Sequence, residues 1–346
     1  MTITLVIRLS SLGDVAIAVP VLYSVAKRYP EEHFLFLTRS AEQSLFINKP
    51  SNLTIFPVYT RGKHKGIKGL LRLLRELSPF IRKKNLKVAD LHGVVRSFLL
   101  DYHFRFRGYP VAIIDKGRKE KRRLVRQEHK IRQPLKTSIN RYKEVFEKLG
   151  YDSSISFTGL FSEKPVKEGI QIGIAPFSKH QGKMYPLELM EKVVSHLSEL
   201  SGLQITLWGS KKECVQLEVW AMKYPNVTSV AGQISLQEEL SLMNQLDLMV
   251  SMDSANMHLA SLVNTPVISI WGATHPYAGF YGFNQDISNI VQIDLPCRPC
   301  SVFGNKPCYR GDYACMTQIT PEMIVDKIRE KLKKSSNESG VDCSFS

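Results

Sequence analysis

The stretch TLVIRLSSLGDVAIAVPVL, residues 4–22, decides the fold class of the N-terminal half of the chain. An apolar run typical of a strand leads into a short turn, and apolar residues then recur at helical spacing. A strand followed at once by a helix is the start of a βαβ unit. Many nucleotide-binding proteins place a phosphate at such a turn, but here Asp14 follows Gly13, and a carboxylate repels a phosphate. We therefore expect this turn to serve another purpose.

The rest of the chain continues to alternate between strand and helix patterns. The predicted strands of the second half are IQIGIA, LQITLW, DLMVS and PVISIWG, and the segments between them have helical periodicity. This alternation predicts an α/β protein with two Rossmann-like domains, each built on a parallel sheet. We place the first domain at residues 1–160, the second at 168–320, a final helix at 321–334 and a disordered tail at 335–346.

The composition is that of an ordinary globular protein with excess positive charge. The 346 residues contain 47 Lys and Arg against 32 Asp and Glu, a net charge of +15, and the basic residues concentrate between Arg61 and Arg141. Such charge favours phosphates, nucleic acid or an anionic membrane face, although a solvated basic surface is the alternative. No helix-turn-helix, zinc-finger or RNA-binding signature is present, so nucleic-acid binding is disfavoured.

No apolar run approaches the ~18 to 20 residues that cross a bilayer, and the N-terminal ITLVI is too short for the apolar region of a signal peptide. The expected location is the cytoplasm.

Polar side chains follow the predicted strands of the second domain, where ligands of open α/β sheets bind. The segments are PFSKHQGK (176–183), WGSKKE (208–213), SMDSANMH (251–258) and WGATHP (271–276). Asp253 or Ser254 can cap the next helix, whose free N–H groups suit a diphosphate, and His258 lies one turn further on. The alternative is that these residues are only a helix cap and a half-buried histidine. Lys183 can neutralise phosphate charge.

Four cysteines form the pattern C-x2-C-x7-C-x6-C in CRPCSVFGNKPCYRGDYAC, residues 297–315. In a cytosolic protein this spacing suggests a structural zinc site rather than disulfides. The spacing between the pairs is looser than in most zinc motifs, so we favour reduced thiols in a loop and keep a structural zinc as the alternative.

Four motifs, RLSSLGDVAIAVPVL, DLHGVVRS, GKMYPLE and SMDSANMHLASLVNTPVISIWGATHP, occur in order along the chain. With them the sequence resembles glycosyltransferase family 9, the ADP-heptose lipopolysaccharide heptosyltransferases, from about residue 3 to residue 330. The resemblance implies a GT-B fold, in which two Rossmann-like domains face an interdomain cleft. It also implies inversion at the anomeric carbon, no catalytic metal and no cofactor beyond the nucleotide-sugar co-substrate, ADP-heptose.

The resemblance implies a role for each matching residue. Asp14 matches the general base, with a simple helix cap as the alternative. Residues matching the donor site are Ser178, Lys179 and Lys183 at the diphosphate, Glu213 at the ribose, Ile234 at the adenine, and Asp253, Ser254, Ala255 and His258 at the helix start. Lys183 would also stabilise the departing diphosphate. For Glu213 and Ile234 the alternatives are a helix-start acid and a core side chain.

Two positions depart from the family pattern. Ala255 stands where glycine is usual: with a positive φ it would strain the backbone, and with a negative φ its methyl group would only narrow the pocket. His92 stands where many members have glutamine. These two departures bear on the identity of the nucleotide-sugar donor more than on the reaction class.

The resemblance also places Arg61, Lys63, His64 and Arg141 at the anionic inner-core saccharide of lipopolysaccharide. The strip IKGLLRLLREL, residues 67–77, is a candidate contact with an anionic membrane, where the lipid A acceptor is anchored. The protein is thus expected to be peripheral on the cytoplasmic face of the inner membrane. The alternatives are a family member with another nucleotide-sugar donor and a non-catalytic member that only binds a sugar nucleotide.

Overall fold

The structure is a computed structural model and describes residues 2–81, 85–167 and 169–339. The chain folds into two compact units, and each contains one sheet. The first unit comprises Met1–Arg118 and Lys136–Leu160, and the second comprises Lys119–Leu135 and Phe161–Ser346. We predicted that all of residues 1–160 belong to the first domain, but the segment Lys119–Leu135 packs with the second unit instead.

The first unit contains a five-stranded parallel sheet. Its strands are β1 Thr2–Ile7, β2 His33–Arg39, β3 Leu53–Val58, β4 Asn85–Asp90 and β5 Val111–Ile113. Its helices are α1 Leu12–Arg28, α2 Gly66–Ile81, α3 Val95–Phe106 and α5 Ser138–Glu147, while α4 Arg118–Leu124 continues into the second unit. The strand order is β3-β2-β1-β4-β5. Successive strands are added to one side of β1 up to β3 and to its other side from β4 onward, so the reversal point of the strand order lies between β1 and β4.

The second unit contains a six-stranded parallel sheet. Its strands are β6 Ile170–Ala175, β7 Leu203–Leu207, β8 Val227–Ser229, β9 Leu248–Met252, β10 Val267–Trp271 and β11 Ile290–Gln292. Its further helices are α6 Leu187–Ser198, α7 Cys214–Lys223, α8 Leu236–Gln245, α9 Ala255–Leu262, α10 Ala314–Thr317 and α11 Pro321–Ser339. The order β11-β10-β9-β6-β7-β8 places the corresponding reversal between β6 and β9.

Burial explains why these segments form parallel sheets. Strands β9 and β10 are buried at every residue, and β1 is buried from Ile3 to Ile7. Continuously apolar strands need helices on both faces, which βαβ connections provide. The two reversal points matter for function because ligands of such sheets bind there, beyond the carboxyl ends of the strands.

Most elements with a strong sequence pattern are confirmed. Helix α3 begins at Val95, and α8 begins with a capping box, in which Ser235 and Glu238 exchange hydrogen bonds. Helix α1 continues through Pro20. Helix α11 extends to Ser339, beyond the predicted end at residue 334, and the rest of the predicted tail lies outside the described residues.

Candidate active site

Asp14 lies in the first turn of α1, directly beyond the carboxyl end of β1. Its Oδ2 atom is 2.5 Å from Arg8 Nη2 and accepts hydrogen bonds from Ser11 N–H at 3.2 Å and Ser11 Oγ at 2.9 Å. Arg8 is buried and donates through Nη1 to Leu91 O at 2.8 Å. The Ser11 contacts show that Asp14 caps its helix. Its side chain nevertheless remains 30% exposed, so a ligand can still reach the carboxylate.

The surroundings of Asp14 keep it charged. Burial alone would raise the pKa of the carboxyl group, but the Arg8 guanidinium and the hydrogen bonds from Ser11 hold that pKa below its ordinary value. Burial likewise opposes the charge on Arg8, yet Tyr142 and Asp14 together raise the pKa of the guanidinium. Asp14 is therefore an ionised, partly exposed carboxylate at neutral pH, which is the state that a proton acceptor requires.

A cavity of about 410 Å³ opens at the carboxyl ends of the first sheet. Its polar lining comes from residues at the ends of four strands: Ser10, Arg39, Thr60, His92 and Arg96. Burial and the nearby Arg8 and Lys116 lower the pKa of His92 to about 3, so the ring is neutral. Arg39 is ion-paired with Glu42, whereas Arg96 has no ion pair among the residues that the structure describes. This lining suits a ligand with hydroxyl groups and negative charge.

The sequence analysis did not identify Arg39, Thr60 or Arg96 as site residues. Arg39 ends β2 and Thr60 lies two residues beyond β3, whereas Arg96 lies in the first turn of α3. The rule that we applied to the second domain, that ligands bind at strand ends, would have found Arg39 and Thr60 in the first.

The four predicted acceptor residues have different environments. Arg61 is exposed in the turn after β3, and Lys63 Nζ lies 2.8 Å from Glu76 Oε2. His64 is buried: its Nδ1 accepts from Tyr59 N–H at 3.1 Å, and its Nε2 lies 3.1 Å from Glu76 Oε2. Burial lowers the pKa of His64 more than Glu76 raises it, so this ring is neutral.

Arg141 is also buried, and it ties together backbone of the first unit. It donates through Nη1 to Asp115 O at 3.0 Å and through Nε to Lys136 O at 3.2 Å. The side chains of His64 and Arg141 are both engaged inside the domain, and their predicted contact with the acceptor stays a prediction. For Arg61 and Lys63 the acceptor role stays a prediction.

In the second unit, Lys183 meets Asp253 at the reversal point of the sheet. Lys183 ends a short 3-10 turn after β6, Gln181–Lys183, and its Nζ is 3.1 Å from Asp253 Oδ2. The same oxygen accepts from Thr274 Oγ1 at 2.8 Å. Only 16% of the Lys183 side chain and 8% of the Asp253 side chain are exposed. Asp253 therefore positions Lys183 and offsets part of its charge; it does not cap α9, because Ser254 holds the N-cap position.

Helix α9 begins without a side-chain cap. Ser254 has the extended backbone of an N-cap, but its Oγ lies 3.2 Å from Ser251 Oγ and accepts no hydrogen bond from the helix. The N–H groups of the first turn are left available to an anion, which the helix dipole also attracts. Ala255 is not among the positive-φ residues, so its methyl group narrows this position without straining the backbone. His258 lies buried on the same helix.

The remaining predicted donor residues lie in loops and at another helix start of the second unit. Ser178 Oγ, in the loop after β6, is buried and has no hydrogen-bond partner among the described residues. Lys179 is exposed. Glu213 is the N-cap residue of α7; its side chain accepts from Ser210 N–H at 2.6 Å, before the helix, and makes no cap hydrogen bond to α7. Ile234 is half-buried and is not part of the described core of the second unit.

The cysteine-rich segment 297–315 supports the loops that carry Lys183 and Thr274. The buried Arg298 donates through Nη2 to Thr274 O at 3.0 Å and through Nε to Gly272 O. Gly304 has φ +71°, and a Cβ atom there would lie 2.3 Å from Lys183 Cγ. The segment therefore packs against the stem of Lys183 at a place where only glycine fits.

Burial and neighbouring thiols raise the pKa of Cys300, and burial raises the pKa of Cys315 to about 11. In the part of the chain that the structure describes, no group of three or more His, Cys, Asp or Glu side chains is arranged to hold a metal ion. The zinc alternative gains no support from this geometry.

The family described as glycosyltransferase family 9 (heptosyltransferase) matches residues 55–307 in its sequence model, well over half of the chain. The chain belongs to glycosyltransferase family 9. It is therefore an enzyme that transfers a glycosyl group, and its two Rossmann-like domains are those of the GT-B fold. Asp14 precedes the matched residues, so its assignment depends on its own geometry.

Relatives and solved structures agree with this membership. The chain is 26% identical to lipopolysaccharide heptosyltransferase 1 of Campylobacter coli, over 94% of this chain and 97% of that protein. The family 9 glycosyltransferase structure from Veillonella parvula superposes with a TM-score of 0.74 at 19% identity, covering 96% of this chain and 97% of the other. The structure of E. coli heptosyltransferase WaaC with ADP superposes with a TM-score of 0.67 at 20% identity, covering 96% of this chain and 100% of the other. Among the described residues, no helix has the length and apolar character needed to span a membrane.

Proposed function

We propose that this enzyme transfers a heptose from ADP-heptose to the core oligosaccharide of lipopolysaccharide, with inversion at the anomeric carbon. The observation that carries the proposal is Asp14, an ionised and partly exposed carboxylate at the reversal point of the first sheet of a family 9 enzyme. The relatives named as lipopolysaccharide heptosyltransferases support the choice of sugar and acceptor.

In the proposed reaction the acceptor hydroxyl attacks the anomeric carbon of the heptose. A bond forms between the acceptor oxygen and that carbon, the bond from that carbon to the diphosphate oxygen breaks, and the hydroxyl proton moves to Asp14. Arg8 and Ser11 hold the carboxylate in place for this transfer. General base catalysis of this kind typically increases the reaction rate by a factor of about 10² to 10⁴.

The second domain would bind the donor and stabilise the leaving group. As the bond breaks, negative charge grows on the diphosphate of ADP. The free N–H groups at the start of α9, the Lys183 ammonium and the Ser178 hydroxyl are the donors that we assign to this charge. Because they are fixed before the reaction, they would favour the transition state over the ground state. Glu213 and Ile234 are assigned to ribose and adenine.

The first domain would bind the acceptor. Its strand-end cavity, lined by Arg39, Thr60, His92 and Arg96, suits a sugar core that carries phosphate or carboxylate groups. Because the acceptor is anchored by lipid A, we further propose that the enzyme works as a peripheral protein at the cytoplasmic face of the inner membrane.

Turnover measurements with the purified full-length protein test this function. ADP-, GDP-, UDP- and dTDP-linked sugars are offered with purified core acceptor, and the anomeric configuration of the product is read by NMR. We expect transfer from ADP-heptose with inversion. Transfer from another donor alone would reassign the substrate. Binding of a sugar nucleotide without transfer to any acceptor would instead indicate a non-catalytic member.

A further inference from the structure

Helix α3 of the first domain exposes a stripe of large apolar side chains. Val95, Leu99, Tyr102 and Phe106 are 77%, 47%, 77% and 95% exposed. Their spacing of four, three and four residues puts all of them on one face of the helix. The opposite face is already used, because Leu100 and Phe104 are buried in the core against the sheet. The stripe is therefore an apolar surface that none of the described residues covers.

Basic residues flank this stripe. With about 100° of rotation per residue, Arg96 and Arg107 lie to one side of it and Arg105 lies to the other. Helix α2, which packs into the same core cluster, adds the exposed Lys68 and Arg75. Arginine and lysine side chains at the border of an apolar surface can extend their charged ends to phosphate groups while their stems stay in apolar surroundings.

Helices α2 and α3 contain no exposed carboxylate that is unpaired. Across α2 and α3 the acidic residues are Glu76 and Asp101. Glu76 is paired with Lys63 and Arg72, and Asp101 is buried. Arg96 and Arg105 on α3, and Lys68 and Arg75 on α2, have no ion pair among the described residues, so exposed apolar side chains and positive charge occur together on these two helices.

The sequence analysis assigned membrane contact to a different strip, residues 67–77 of α2. In the structure most apolar residues of that strip pack against the sheet, including Leu73 and Leu77, which are buried in the core. Of the strip, Ile67 and Leu71 stay exposed. Helix α3 thus presents the larger apolar face of the two.

We propose that the α3 stripe, defined by Leu99, Tyr102 and Phe106 together with Val95, inserts into the interface of an anionic phospholipid bilayer. Exposed apolar patches of this kind mark interaction sites, and aromatic side chains favour the boundary between headgroups and acyl chains. The basic border selects an anionic lipid surface over a neutral one or an acidic-rimmed protein. Val95 and Arg96 also line the strand-end cavity, so an inserted α3 would bring that cavity to the membrane surface. This deepens the proposed function, on which it rests for the identity of the lipid-anchored acceptor.

Vesicle flotation of the full-length protein tests the proposal. The vesicles contain phosphatidylethanolamine with or without phosphatidylglycerol, at two salt concentrations. We expect binding to the anionic vesicles only, and we expect the double variant Leu99→Ser/Phe106→Ser to weaken that binding at least about tenfold. A second variant, Lys68→Gln/Arg75→Gln, should reduce the preference for anionic lipid. Circular dichroism and the melting temperature check that each variant is folded.

Helix α7 of the second domain offers a matched control. Val215, Val219 and Met222 are also exposed at spacings of four and three residues, but Glu218 lies on that helix. The variant Val219→Ser/Met222→Ser should leave vesicle binding unchanged. Equal losses in both double variants, or no loss in the α3 variant, would overturn the proposal. A change of oligomeric state in the α3 variant, with vesicle binding intact, would assign the stripe to a contact between copies of the chain instead.

Activity assays with two different acceptors distinguish a failure of this proposal from a failure of the proposed function. With a water-soluble, deacylated core acceptor, the α3 variant should keep the wild-type kcat/KM, whereas with acceptor embedded in vesicles it should lose activity. Normal vesicle binding with no transfer to either acceptor would refute the proposed function and leave the membrane surface standing. Equal activity of variant and wild type on embedded acceptor would refute the role of the stripe in reaching its substrate.

Discussion

Helices α1 and α9 each begin at the reversal point of their own sheet, α1 after β1 and α9 after β9, yet their first turns have opposite chemical character. In α1 the first turn contains its own carboxylate, Asp14, held by Arg8 and Ser11. In α9 the first turn has no side-chain cap, and the nearby Asp253 is turned to Lys183 and Thr274. One helix start thus offers negative charge, and the other offers hydrogen-bond donors.

This difference shows how one architecture can serve two halves of a reaction. A carboxylate at the start of a helix excludes phosphate but accepts a proton, while an uncapped helix start attracts a diphosphate. The strand order alone does not distinguish the two sites. A few side chains in each first turn decide which chemistry is available.

Replacing Asp14 should have the largest effect. We expect Asp14→Asn to lower kcat by about 10³ or more while the affinity for ADP stays within about twofold, because only the proton acceptor is removed. Steady-state kinetics and calorimetric titration with ADP measure the two quantities. Asp152→Asn, at an exposed aspartate paired with Arg28 in the same domain, is the control and should keep wild-type turnover. Wild-type rates in Asp14→Asn would refute the assignment of the base.

Removing Lys183 tests the other helix start. We expect Lys183→Met to lower kcat by about 10² and to weaken ADP binding, because the diphosphate then meets Asp253 without its partner. The double variant Lys183→Met/Asp253→Asn should recover part of the ADP affinity. Lys223→Met, at an exposed lysine paired with Glu191 in the same domain, serves as the control. Equal losses for the two single lysine variants would show that the pairing with Asp253 is unimportant.

Gly304 provides a smaller, indirect perturbation of Lys183. Gly304→Ala and Gly311→Ala both place a side chain at a positive φ, which destabilises each by roughly 1 kcal/mol. Only at Gly304 does the new Cβ meet Lys183, since nothing lies within 4 Å of the corresponding atom at Gly311. We expect similar losses of melting temperature and about a tenfold loss of kcat in Gly304→Ala alone. The same kcat in both variants would contradict the packing role.

The smallest effect on turnover should come from Asp101, buried on α3 near Asp90. Burial and the Asp90 carboxylate raise the pKa of Asp101 to about 8. The folded state therefore holds a proton that the unfolded state releases near pH 4, so this group destabilises the fold progressively as the pH rises from about 4 to about 8. Asp101→Asn should remove this dependence and raise the free energy of unfolding at pH 8 by a few kcal/mol, because each pKa unit between the folded and unfolded states corresponds to about 1.4 kcal/mol.

Denaturant unfolding of both forms at pH 5 and pH 8 provides the measurement. If wild type and variant lose the same stability between those two values, Asp101 is not the titrating group. Turnover should change little in this variant, in contrast with Asp14→Asn, although both residues are carboxylates of the first domain.

Most of the longer elements were predictable from the sequence, and their reasons are local. Strand β6 is a continuous apolar run, and Ser235 with Glu238 marks a helix start through neighbours three residues apart. Strands β5, β8 and β11 have three residues each, too few for a period to show, and were missed. The six-residue β3 was missed as well, because Pro57 lies within it and proline is confined to edge strands such as this one.

Side-chain burial was less predictable because it depends on distant packing. The basic region suggested that His64 and Arg141 face a ligand, but both are engaged inside the domain. Helix α3 has apolar residues on two faces, and sequence alone cannot tell which face meets the sheet. Only the position of Leu100 and Phe104 in the core identifies the other face as the exposed one.

The segment Lys119–Leu135 has a consequence for how the protein is made. Its Lys130 donates to the carbonyl oxygens of Cys297 and Pro299, and Arg132 pairs with Asp294, 162 positions later in the chain. During synthesis the ribosome completes the strands of the first sheet long before these partners emerge. Lys130 and Arg132 therefore cannot form these contacts until residues 294–299 have left the exit tunnel. Cutting the gene at residue 160 to express the halves separately would strip the second half of this piece.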